Sequence, residues 1–225
     1  MPQVLFAFDN VSFGYVPGQP VFNKLSFKIY SGETVALLGA NGSGKSTLLK
    51  MMSGLIFPQQ GIFKAYGQEI NEQRMEDDAF SQKYHLKVGY IFQNSEVQLF
   101  TTRVWDEIAY GPLQMGFTTK VVKQRVEDVL EMLQLENLRD RSPHRLSGGE
   151  KKKVAIASVL VLNPEVLILD EPTSGLDPKT EKWLVELLLK LNLKGRTIIV
   201  STHNLELAHV LTTRSLVLAE SHELV

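Results

Sequence analysis

Residues 39–46 read GANGSGKS and fit the pattern G-x-x-x-x-G-K-[ST], in which a glycine-rich loop joins a strand to a helix. The flanking residues agree with this pattern. The apolar run at residues 34–38 is typical of a strand buried on both faces. Residues 46–54 predict a helix that Gly54 and Pro58 end. An ordinary glycine-rich turn is the alternative, but every fixed position matches in the expected context, which favours a phosphate-binding loop.

The residue types of this loop suit a phosphate ligand. Glycines let backbone N–H groups close around phosphate oxygens, and the helix that follows points its positive end at them. Lys45 would place a charge between the β- and γ-phosphates of a nucleotide, and the Ser46 hydroxyl would ligate Mg²⁺. The predicted nucleotide-binding residues of the loop and helix are Gly39, Ala40, Asn41, Gly42, Ser43, Gly44, Lys45, Ser46 and Thr47.

Composition narrows the classes of protein that the chain can belong to. Its 225 residues are 44% hydrophobic, enough for one large domain or two small ones with a sizeable core. A net charge of -1 gives no support to nucleic-acid binding. Cysteine is absent, which excludes disulfides and thiolate metal sites. The first residues do not read as a secretory signal, and no apolar run is long enough to predict a membrane span.

Short apolar runs alternate with helical patterns, which is typical of a parallel α/β sheet. Strands are predicted at residues 34–38, 88–92, 166–169 and 197–200, with a helix at 178–191 and shorter β-type runs at 4–8, 25–29 and 61–66. Residues 71–83 read as a polar segment without a predicted element. The helical pattern at 105–138 interrupts the alternation, so we expect one domain with a core at about 1–93 and 155–225 and an inserted helical subdomain at about 94–154.

Two carboxylates follow the buried strand predicted at 166–169. Asp170 and Glu171 would lie at the carboxyl edge of the sheet, where α/β proteins place their ligands. There Asp170 would reach Mg²⁺ through water, and Glu171 would polarise a water that attacks a phosphoryl group. The alternative is a strand end with two solvated acids, which is the less favoured interpretation beside a phosphate-binding loop.

Gln93 and His203 follow two other predicted strands. A histidine in such a place is usually a capping or surface residue, but His203 could also approach a γ-phosphate. Gln93 is either a plain loop residue or a ligand to Mg²⁺ and the attacking water. Together with Lys45 and Glu171, these two residues complete the predicted catalytic set.

Residues 146–150, Leu-Ser-Gly-Gly-Glu, introduce a second helix N-terminus of interest. Ser147 and Glu150 have the spacing of a capping box, which is the simpler interpretation. Two consecutive glycines at a helix start also make an anion site. One nucleotide does not need two such sites in one chain, unless the second serves the nucleotide of another subunit.

The order of these motifs resembles that of the ATP-binding-cassette (ABC) ATPases, over essentially the whole chain. The matching features are the loop at 39–46, Gln93, residues 146–150, Asp170 with Glu171, the turn at 174–177 and His203. The resemblance implies a P-loop NTPase of the ABC type, with a RecA-like parallel-sheet core and an N-terminal antiparallel β subdomain. It also implies ATP and Mg²⁺ as ligands, and a head-to-tail dimer.

In that dimer, the signature residues of one subunit would close on the ATP of the other, with Ser147 and Gly149 at the γ-phosphate. The signature set is Ser147, Gly148, Gly149 and Glu150. Many family members have glutamine in place of Glu150, and a capping box accepts either residue. The resemblance also implies that Tyr15 stacks on adenine, or else it is a turn aromatic after Gly14. Asp177 would contact the partner subunit, besides capping the helix that starts at Pro178.

Residues 90–100, 104–112 and 146–157 are similar to the energy-coupling-factor importers, particularly the cobalt/nickel type. This branch implies an ATPase at the cytoplasmic face of the cell membrane, docked near residues 93–100 to an integral membrane subunit. A separate membrane component would bind the cargo, cobalt or nickel ions or a vitamin, and no residue of this chain would touch it. The alternatives are an ABC ATPase of another transporter, or a soluble one acting on DNA or ribosomes.

Two segments leave alternatives open. Val97, Leu99 and Phe100 are either core residues or the lining of a groove for a helix of the membrane subunit. The three lysines at 151–153 read as a solvated helix face, with attraction to nucleotide phosphate or anionic lipid as a weaker functional interpretation.

Overall fold

The computed structural model describes residues 3–219 and 223–224. Within them, the strands are β1 (Val4–Phe13), β2 (Phe22–Tyr30), β3 (Thr34–Gly39), β4 (Gln60–Ala65), β5 (Gln68–Glu69), β6 (Val88–Ile91), β7 (Val166–Asp170), β8 (Thr197–Ser201) and β9 (Arg214–Leu218). The α-helices are α1 (Lys45–Met52), α2 (Glu72–Met75), α3 (Asp78–Lys87), α4 (Ser95–Gln98), α5 (Val104–Gln114), α6 (Thr119–Leu133), α7 (Gly148–Leu160), α8 (Pro178–Leu193) and α9 (Leu205–Leu211). Short 3₁₀ turns lie at Glu136–Leu138 and Pro143–Arg145.

The strands form a parallel sheet and an antiparallel sheet. The parallel sheet has five strands in the order β6-β7-β8-β3-β9, and the antiparallel sheet has four in the order β2-β1-β4-β5. Every residue of β7 and of β8 is buried, because helices cover both faces of a parallel sheet. The predicted fold class is therefore confirmed, including the antiparallel sheet near the N-terminus.

Side chains of β7 alternate between two hydrophobic clusters, as the two-residue period of a strand requires. Leu167 and Leu169 pack in the cluster that contains the buried faces of α5, α6 and α7. Val166 and Ile168 pack on the opposite face, in the cluster that contains α1 and the antiparallel sheet. Both faces of the parallel sheet are thus covered, and its carboxyl edge remains free to present loops.

The structure corrects the predicted elements in two places. The polar segment at 71–83 contains α2 and most of α3, which begins after Asp77, whose side chain accepts hydrogen bonds from the N–H groups of Ala79 and Phe80. The single helical pattern at 105–138 is two helices, α5 and α6, separated by a turn in which Gly116 has a φ of 73°. Helix α7 crosses the predicted boundary at residue 154, so the division into core and helical subdomain stays a prediction.

Among the described residues, the structure contains no helix with the length and apolar character needed to cross a membrane.

Candidate functional site

A cleft of about 630 Å³ lies beside the loop at residues 39–46. Its lining residues are Tyr15, Val21, Asn41, Gly42, Gly44, Lys45, Ser46, Thr47, Gln93, Glu171, Ser174 and His203. The structure therefore brings together the four residues predicted to be catalytic, although they lie far apart in sequence. They meet because β6, β7 and β8 are neighbouring parallel strands, so the residues that follow each strand share one edge.

Two glycines of the loop are required by close packing and by backbone conformation. A Cβ at Gly39 would lie 2.5 Å from the carbonyl oxygen of Leu218, and one at Gly44 would lie 2.7 Å from Val21 Cγ1. Gly44 also has a φ of 101°, in the left-handed region that side chains disfavour. The loop can thus turn tightly into α1 only with glycine at these positions.

Lys45 and Ser43 are polar residues buried within the loop. The Lys45 ammonium donates hydrogen bonds to the carbonyls of Gly39 and Ala40, at 2.9 and 3.0 Å. The Ser43 hydroxyl is buried and has no hydrogen-bond partner among the described residues. Buried hydroxyls usually have a partner, so this orphaned donor and the adjacent ammonium fit a ligand rich in acceptor oxygens, such as a phosphate.

Ser201, the last residue of β8, fixes both carboxylates at the end of β7. It lies directly opposite Asp170 in the strand pairing, and its hydroxyl donates a 2.6 Å hydrogen bond to Asp170 Oδ1. The same hydroxyl accepts a 2.9 Å hydrogen bond from the N–H of Glu171. Tyr90 also donates to Asp170, from 3.3 Å. The Asp170 carboxylate is therefore oriented by two hydroxyls, and the backbone of Glu171 is held in place.

Glu171 contacts His203 directly. Its Oε2 lies 2.9 Å from His203 Nδ1, and both residues line the cleft. Glu171 has a φ of 41°, an uncommon conformation for a non-glycine residue. Both side chains line the cleft, so a carboxylate and an imidazole face the same space.

The donor set at this edge suits Mg²⁺. Ser46, Gln93 and Asp170 offer a hydroxyl, an amide and a carboxylate, which are the oxygen donors that this cation prefers. No group of three or more His, Cys, Asp or Glu side chains that could enclose a metal ion occurs in the described part of the chain. The arrangement fits a cation that takes its remaining ligands from phosphate and water.

Tyr15 lies at the edge of the cleft with its ring exposed. Its hydroxyl is 3.3 Å from Thr47 Oγ1, and the ring meets Phe13 edge-on with centroids 5.0 Å apart. The residue is 60% exposed, so part of the ring is accessible to a planar ligand while its hydroxyl lies beside Thr47. This geometry agrees with either interpretation of Tyr15, since a turn aromatic would also be exposed.

The residues at 147–150 lie apart from this cleft in the described structure. Ser147 caps α7, and both hydrogen bonds of the predicted capping box with Glu150 are present. Because Ser147 donates to it, the pKa of the Glu150 carboxyl is lowered. Gly148 lines a second cleft of about 330 Å³, together with Gln93. Gln93 therefore borders both clefts.

A model of the ABC transporter family matches residues 22–174. The chain belongs to the ABC transporter family. The match spans the phosphate loop, the capped helix α7 and the carboxylates of β7, which are the features that the geometry has placed around or beside the cleft.

Relatives of this ABC cassette support the branch that the sequence resembles. A putative ABC transporter ATP-binding protein of Methanosarcina acetivorans is 50% identical, over 98% of this chain and 81% of its own length. The nickel import ATP-binding protein LarO of Lactiplantibacillus plantarum is 42% identical, over 95% of this chain and 88% of its own. The energy-coupling factor transporter ATP-binding protein EcfA2 of Methanospirillum hungatei is 41% identical, over 91% of this chain and 50% of its own.

Solved structures of ABC cassettes share the fold. The structure of cbiO1 from Clostridium perfringens, part of the ABC transporter complex cbiONQ, has a TM-score of 0.87 and 31% identity, covering 99% of this chain and 87% of that one. The dimeric cassette MJ0796 bound to ADP and Pi has a TM-score of 0.86 and 28% identity, and the match covers 98% of this chain and 96% of that one. The expected resemblance to ABC ATPases of the cobalt/nickel type is therefore confirmed, and the chain is an ABC transporter ATPase.

Asp177 of the cassette caps α8 as predicted. Its carboxylate accepts hydrogen bonds from the N–H groups of Lys179 and Thr180 and from the Thr180 hydroxyl, and the last of these lowers its pKa most. A Cβ at Gly149 would lie 2.7 Å from Thr180 Oγ1, so the start of α7 approaches the start of α8 closely. The dimer contact of Asp177 stays a prediction.

The three lysines at 151–153 are not a solvated helix face, and that prediction is wrong. Only 2% of Lys152 is exposed, and its ammonium donates 3.2 Å hydrogen bonds to the carbonyls of Phe92 and Gln93. Burial lowers the Lys152 pKa to about 8. Lys151 pairs with Glu96, and Lys153 lies over the ring of Trp183, 4.6 Å from its centroid. Successive helical positions point in different directions, which sends the three ammonium groups to three different partners.

The segment after Gln93 is divided between core and surface. Leu99 is 4% exposed and belongs to the cluster under α5 to α7, so it cannot line a docking groove. Val97 is 73% exposed and Phe100 is 59% exposed. The ring of Phe100 meets that of Tyr110 on α5 edge-on, with centroids 4.8 Å apart.

Proposed function

We propose that this ABC ATPase works as one half of a head-to-tail dimer that hydrolyses ATP and energises a membrane importer. The observation that carries the proposal is the separation of two phosphate-binding elements within one chain. The loop at 39–46 borders the cleft with Glu171 and His203, whereas Ser147 and its glycines are not part of that lining and Gly148 lines the second cleft. A second subunit, either an identical or a related one, would bring its Ser147 to the γ-phosphate and complete each site. The dimeric form of the neighbour MJ0796 supports this arrangement.

Binding of ATP would use the loop and Tyr15. The loop N–H groups, the N-terminus of α1 and the Lys45 ammonium would hold the phosphates. To do so, Lys45 would exchange its hydrogen bonds with the Gly39 and Ala40 carbonyls for phosphate oxygens. The exposed ring of Tyr15 would stack on adenine, since its hydroxyl is already anchored to Thr47.

Hydrolysis would depend on the Glu171 and His203 pair. The Glu171 carboxylate would orient and polarise the attacking water, and His203 would donate a hydrogen bond to the γ-phosphate. The Ser46 hydroxyl and Gln93, with Asp170 through water, would hold Mg²⁺, which when bound neutralises charge on the phosphates. Ser201 would hold both residues in place, because its hydroxyl donates to the Asp170 carboxylate and accepts from the N–H of Glu171.

ATP binding would close the dimer and hydrolysis would reopen it. Gln93 borders the cleft of its own subunit and is followed within a few residues by the exposed side chains Val97 and Phe100. We propose that these side chains, with Tyr110, receive a helix of an integral membrane subunit, because a groove of exposed apolar side chains suits an amphipathic helix. The ATPase would then lie peripherally at the cytoplasmic face of the cell membrane.

The cargo would be a nickel or cobalt ion or a vitamin, bound by a separate membrane component. The nickel import function named for LarO supports the metal-ion alternative.

The catalytic assignment is tested by Glu171→Gln. Because the substitution keeps the shape of the side chain but removes its charge, ATP affinity should persist, while steady-state phosphate release should fall by about two orders of magnitude or more. Glu186→Gln is the matched control, because Glu186 is exposed on α8. Calorimetric titration with ATP and a phosphate-release assay measure the two quantities.

The dimer is tested with the same variant in an ultracentrifuge. With ATP and Mg²⁺, Glu171→Gln should sediment as a dimer, and addition of Ser147→Arg should return it to the monomer. Undiminished turnover by Glu171→Gln would remove Glu171 from the mechanism. A Glu171→Gln, Ser147→Arg protein that still dimerises on ATP would show that the signature does not close on the partner's nucleotide.

A further inference from the structure

Helix α7 connects two parts of the cassette that the proposed function assigns to different sites. Its N-cap is Ser147, which would meet the ATP bound by the partner subunit. Five residues further on, Lys152 reaches the segment that carries Gln93, which borders the cleft of its own subunit. The two composite sites of a dimer are therefore joined, within each chain, by less than two turns of one helix.

The contact of Lys152 with this segment is made to the main chain. Its ammonium lies 3.2 Å from the carbonyl oxygen of Phe92 and 3.2 Å from that of Gln93. Both carbonyls belong to the turn where β6 ends and the chain bends toward α4. Since the bonded atoms are consecutive backbone carbonyls, the contact fixes the path of the chain at Gln93 whatever its side chain does.

Two further contacts tie the same segment to α7. Lys151 pairs with Glu96. The Gln98 amide donates to the carbonyl of Ala155 at 2.9 Å and to the Ser158 hydroxyl at 3.1 Å. Residues 151, 155 and 158 have the i, i+4, i+7 spacing of one helix face. The segment from 92 to 98 thus runs along α7 and is attached near both of its ends.

The Lys152 contact is expensive to maintain, which argues against a merely space-filling role. The residue is 2% exposed, and the charge of Asp170 only partly offsets the effect of burial, which lowers the pKa of its ammonium. Burial of an ammonium outside a close ion pair is unfavourable unless hydrogen bonds offset it. It also lies in the second turn of a helix, where the positive end of the dipole is unfavourable. A methionine would fill the space without these costs.

We infer that Lys152 is a positioning residue that couples the signature of one composite site to Gln93 of the other, by making the segment at 92–98 move with α7. This inference rests on the proposed function, because it requires that Ser147 engages the partner's nucleotide. A shift of α7 on that engagement would then be transmitted to the backbone of Gln93 through the Lys152 ammonium. Each site would reach its active arrangement only when the other site has bound nucleotide.

The attachment of residues 92–98 to Lys152, called the tether below, is tested by amide hydrogen exchange of the full chain. This test does not depend on the proposed function. In Lys152→Met, peptides covering residues 92–98 should exchange about tenfold faster, the order expected when a charge-assisted hydrogen bond is lost. Peptides from β7 should be unchanged. Lys152→Arg should restore slow exchange, because a guanidinium also donates to carbonyls, and Lys153→Met on the same helix should resemble wild type.

The coupling is tested by steady-state ATP hydrolysis of the same variants. Lys152→Met should lower kcat about tenfold with KM within about twofold of wild type, since only the placement of Gln93 is lost and the phosphate loop is untouched. Lys152→Arg should recover most of kcat. Cooperativity in ATP concentration, where wild type displays it, should disappear in Lys152→Met.

The outcomes separate this inference from the proposed function. Unchanged exchange at 92–98 in Lys152→Met would overturn the tether, and so would faster exchange spread equally over α7 and β7, which would make Lys152 a general stabiliser. Faster local exchange with wild-type kcat would overturn the positioning role. Absence of ATP hydrolysis in the wild-type protein would instead count against the proposed function and leave the exchange result standing.

Discussion

His203 Nδ1 lies 2.9 Å from Glu171 Oε2. The two side chains differ in environment, since that of Glu171 is 11% exposed and that of His203 is 68% exposed. The backbone of Glu171 is fixed by its N–H, which donates to the Ser201 hydroxyl. The imidazole of His203 lines the cleft. This arrangement lets Glu171 orient the ring, since Nδ1–H donates to the carboxylate, and the other ring nitrogen donates toward a ligand when the imidazole carries both protons.

Replacement of His203 tests whether the imidazole acts in hydrolysis. In His203→Ala, kcat should fall about 100-fold, within the range seen when one preorganised donor to a transition state is removed, and ATP affinity should change much less. Phosphate release and calorimetric ATP titration measure the two effects. His209→Ala is the control, because His209 is exposed on α9 and lies outside the cleft lining. Equal losses of kcat in the two variants would contradict a role specific to His203.

Replacement of Ser201 tests the support behind both carboxylates. Ser201→Ala removes the 2.6 Å bond to buried Asp170 but leaves the N–H of Glu171 one partner, the Ser201 carbonyl at 3.2 Å. We expect a loss of about 1–3 kcal/mol in the free energy of unfolding, the cost of an unsatisfied buried acceptor. Denaturant titration measures this loss. Ser215→Ala is the control, because Ser215 is exposed on β9. A loss no larger than that of the control would show that Ser201 does not stabilise the carboxylates.

Sequence reasoning locates the residues of the cleft because parallel strands end at one edge of a sheet. Once residues 166–169 and 197–200 are predicted as strands, Glu171 and His203 must approach each other. Ser201 carries no motif and was missed, yet the same argument would have found it, since it pairs directly with Asp170. The two glycines at the start of α7 already suggested a second anion site that could serve another subunit, and the family resemblance added the head-to-tail dimer.

The burial of Lys152 and the presence of helix α3 were not predicted, and the physical reasons differ. Lys152 stands in a run of three lysines, which is typical of a solvated helix face. However, residues 152, 155, 156 and 160 follow the three-and-four spacing of a buried face, and this spacing indicates that Lys152 is buried. Helix α3 gives no periodic signal, because Tyr84 is its only fully buried residue. Its remaining indication in the sequence is the capping residue Asp77.

The exposed side chains after Gln93 are expected to matter for a partner and not for folding. The double substitution Val97→Ser, Phe100→Ser should change the free energy of unfolding by no more than about 0.5 kcal/mol per site, as is usual at a surface. It should keep ATP hydrolysis but lose recovery of an integral membrane partner from solubilised membranes. Thermal unfolding and co-purification measure the two effects.

Two controls bracket that result. Leu193→Ser removes a side chain that is 86% exposed on α8 and should keep both stability and the partner. Leu99→Ser places a hydroxyl in the core, where Leu99 is 4% exposed, and should cost about 3 kcal/mol or more. Retention of the membrane partner by the double variant would place the docking surface elsewhere on the cassette.

Glu150 is expected to cap α7 in a pH-dependent way that glutamine would not reproduce. Its folded pKa lies below the ordinary 4.5 because Ser147 donates to the carboxylate. The stabilisation is therefore fully present above the unfolded pKa and is lost as pH falls through the folded pKa. Glu150→Gln keeps the capping geometry and should retain ATP turnover at neutral pH. At pH 7 the free energy of unfolding of wild type should exceed that of Glu150→Gln, by less than about 1 kcal/mol because the site is partly solvated. This difference should vanish in acid.

Denaturant unfolding of both proteins between pH 3 and pH 7 measures that difference directly. Titrations that are common to both proteins cancel when their free energies of unfolding are subtracted, so the remaining slope belongs to Glu150. Glu186→Gln, at an exposed position of α8, should have no comparable slope below pH 4.5. An advantage of wild type that grows as pH falls would mean that the Glu150 carboxylate is destabilised in the folded protein, and that the hydrogen bonds from Ser147 do not determine its pKa.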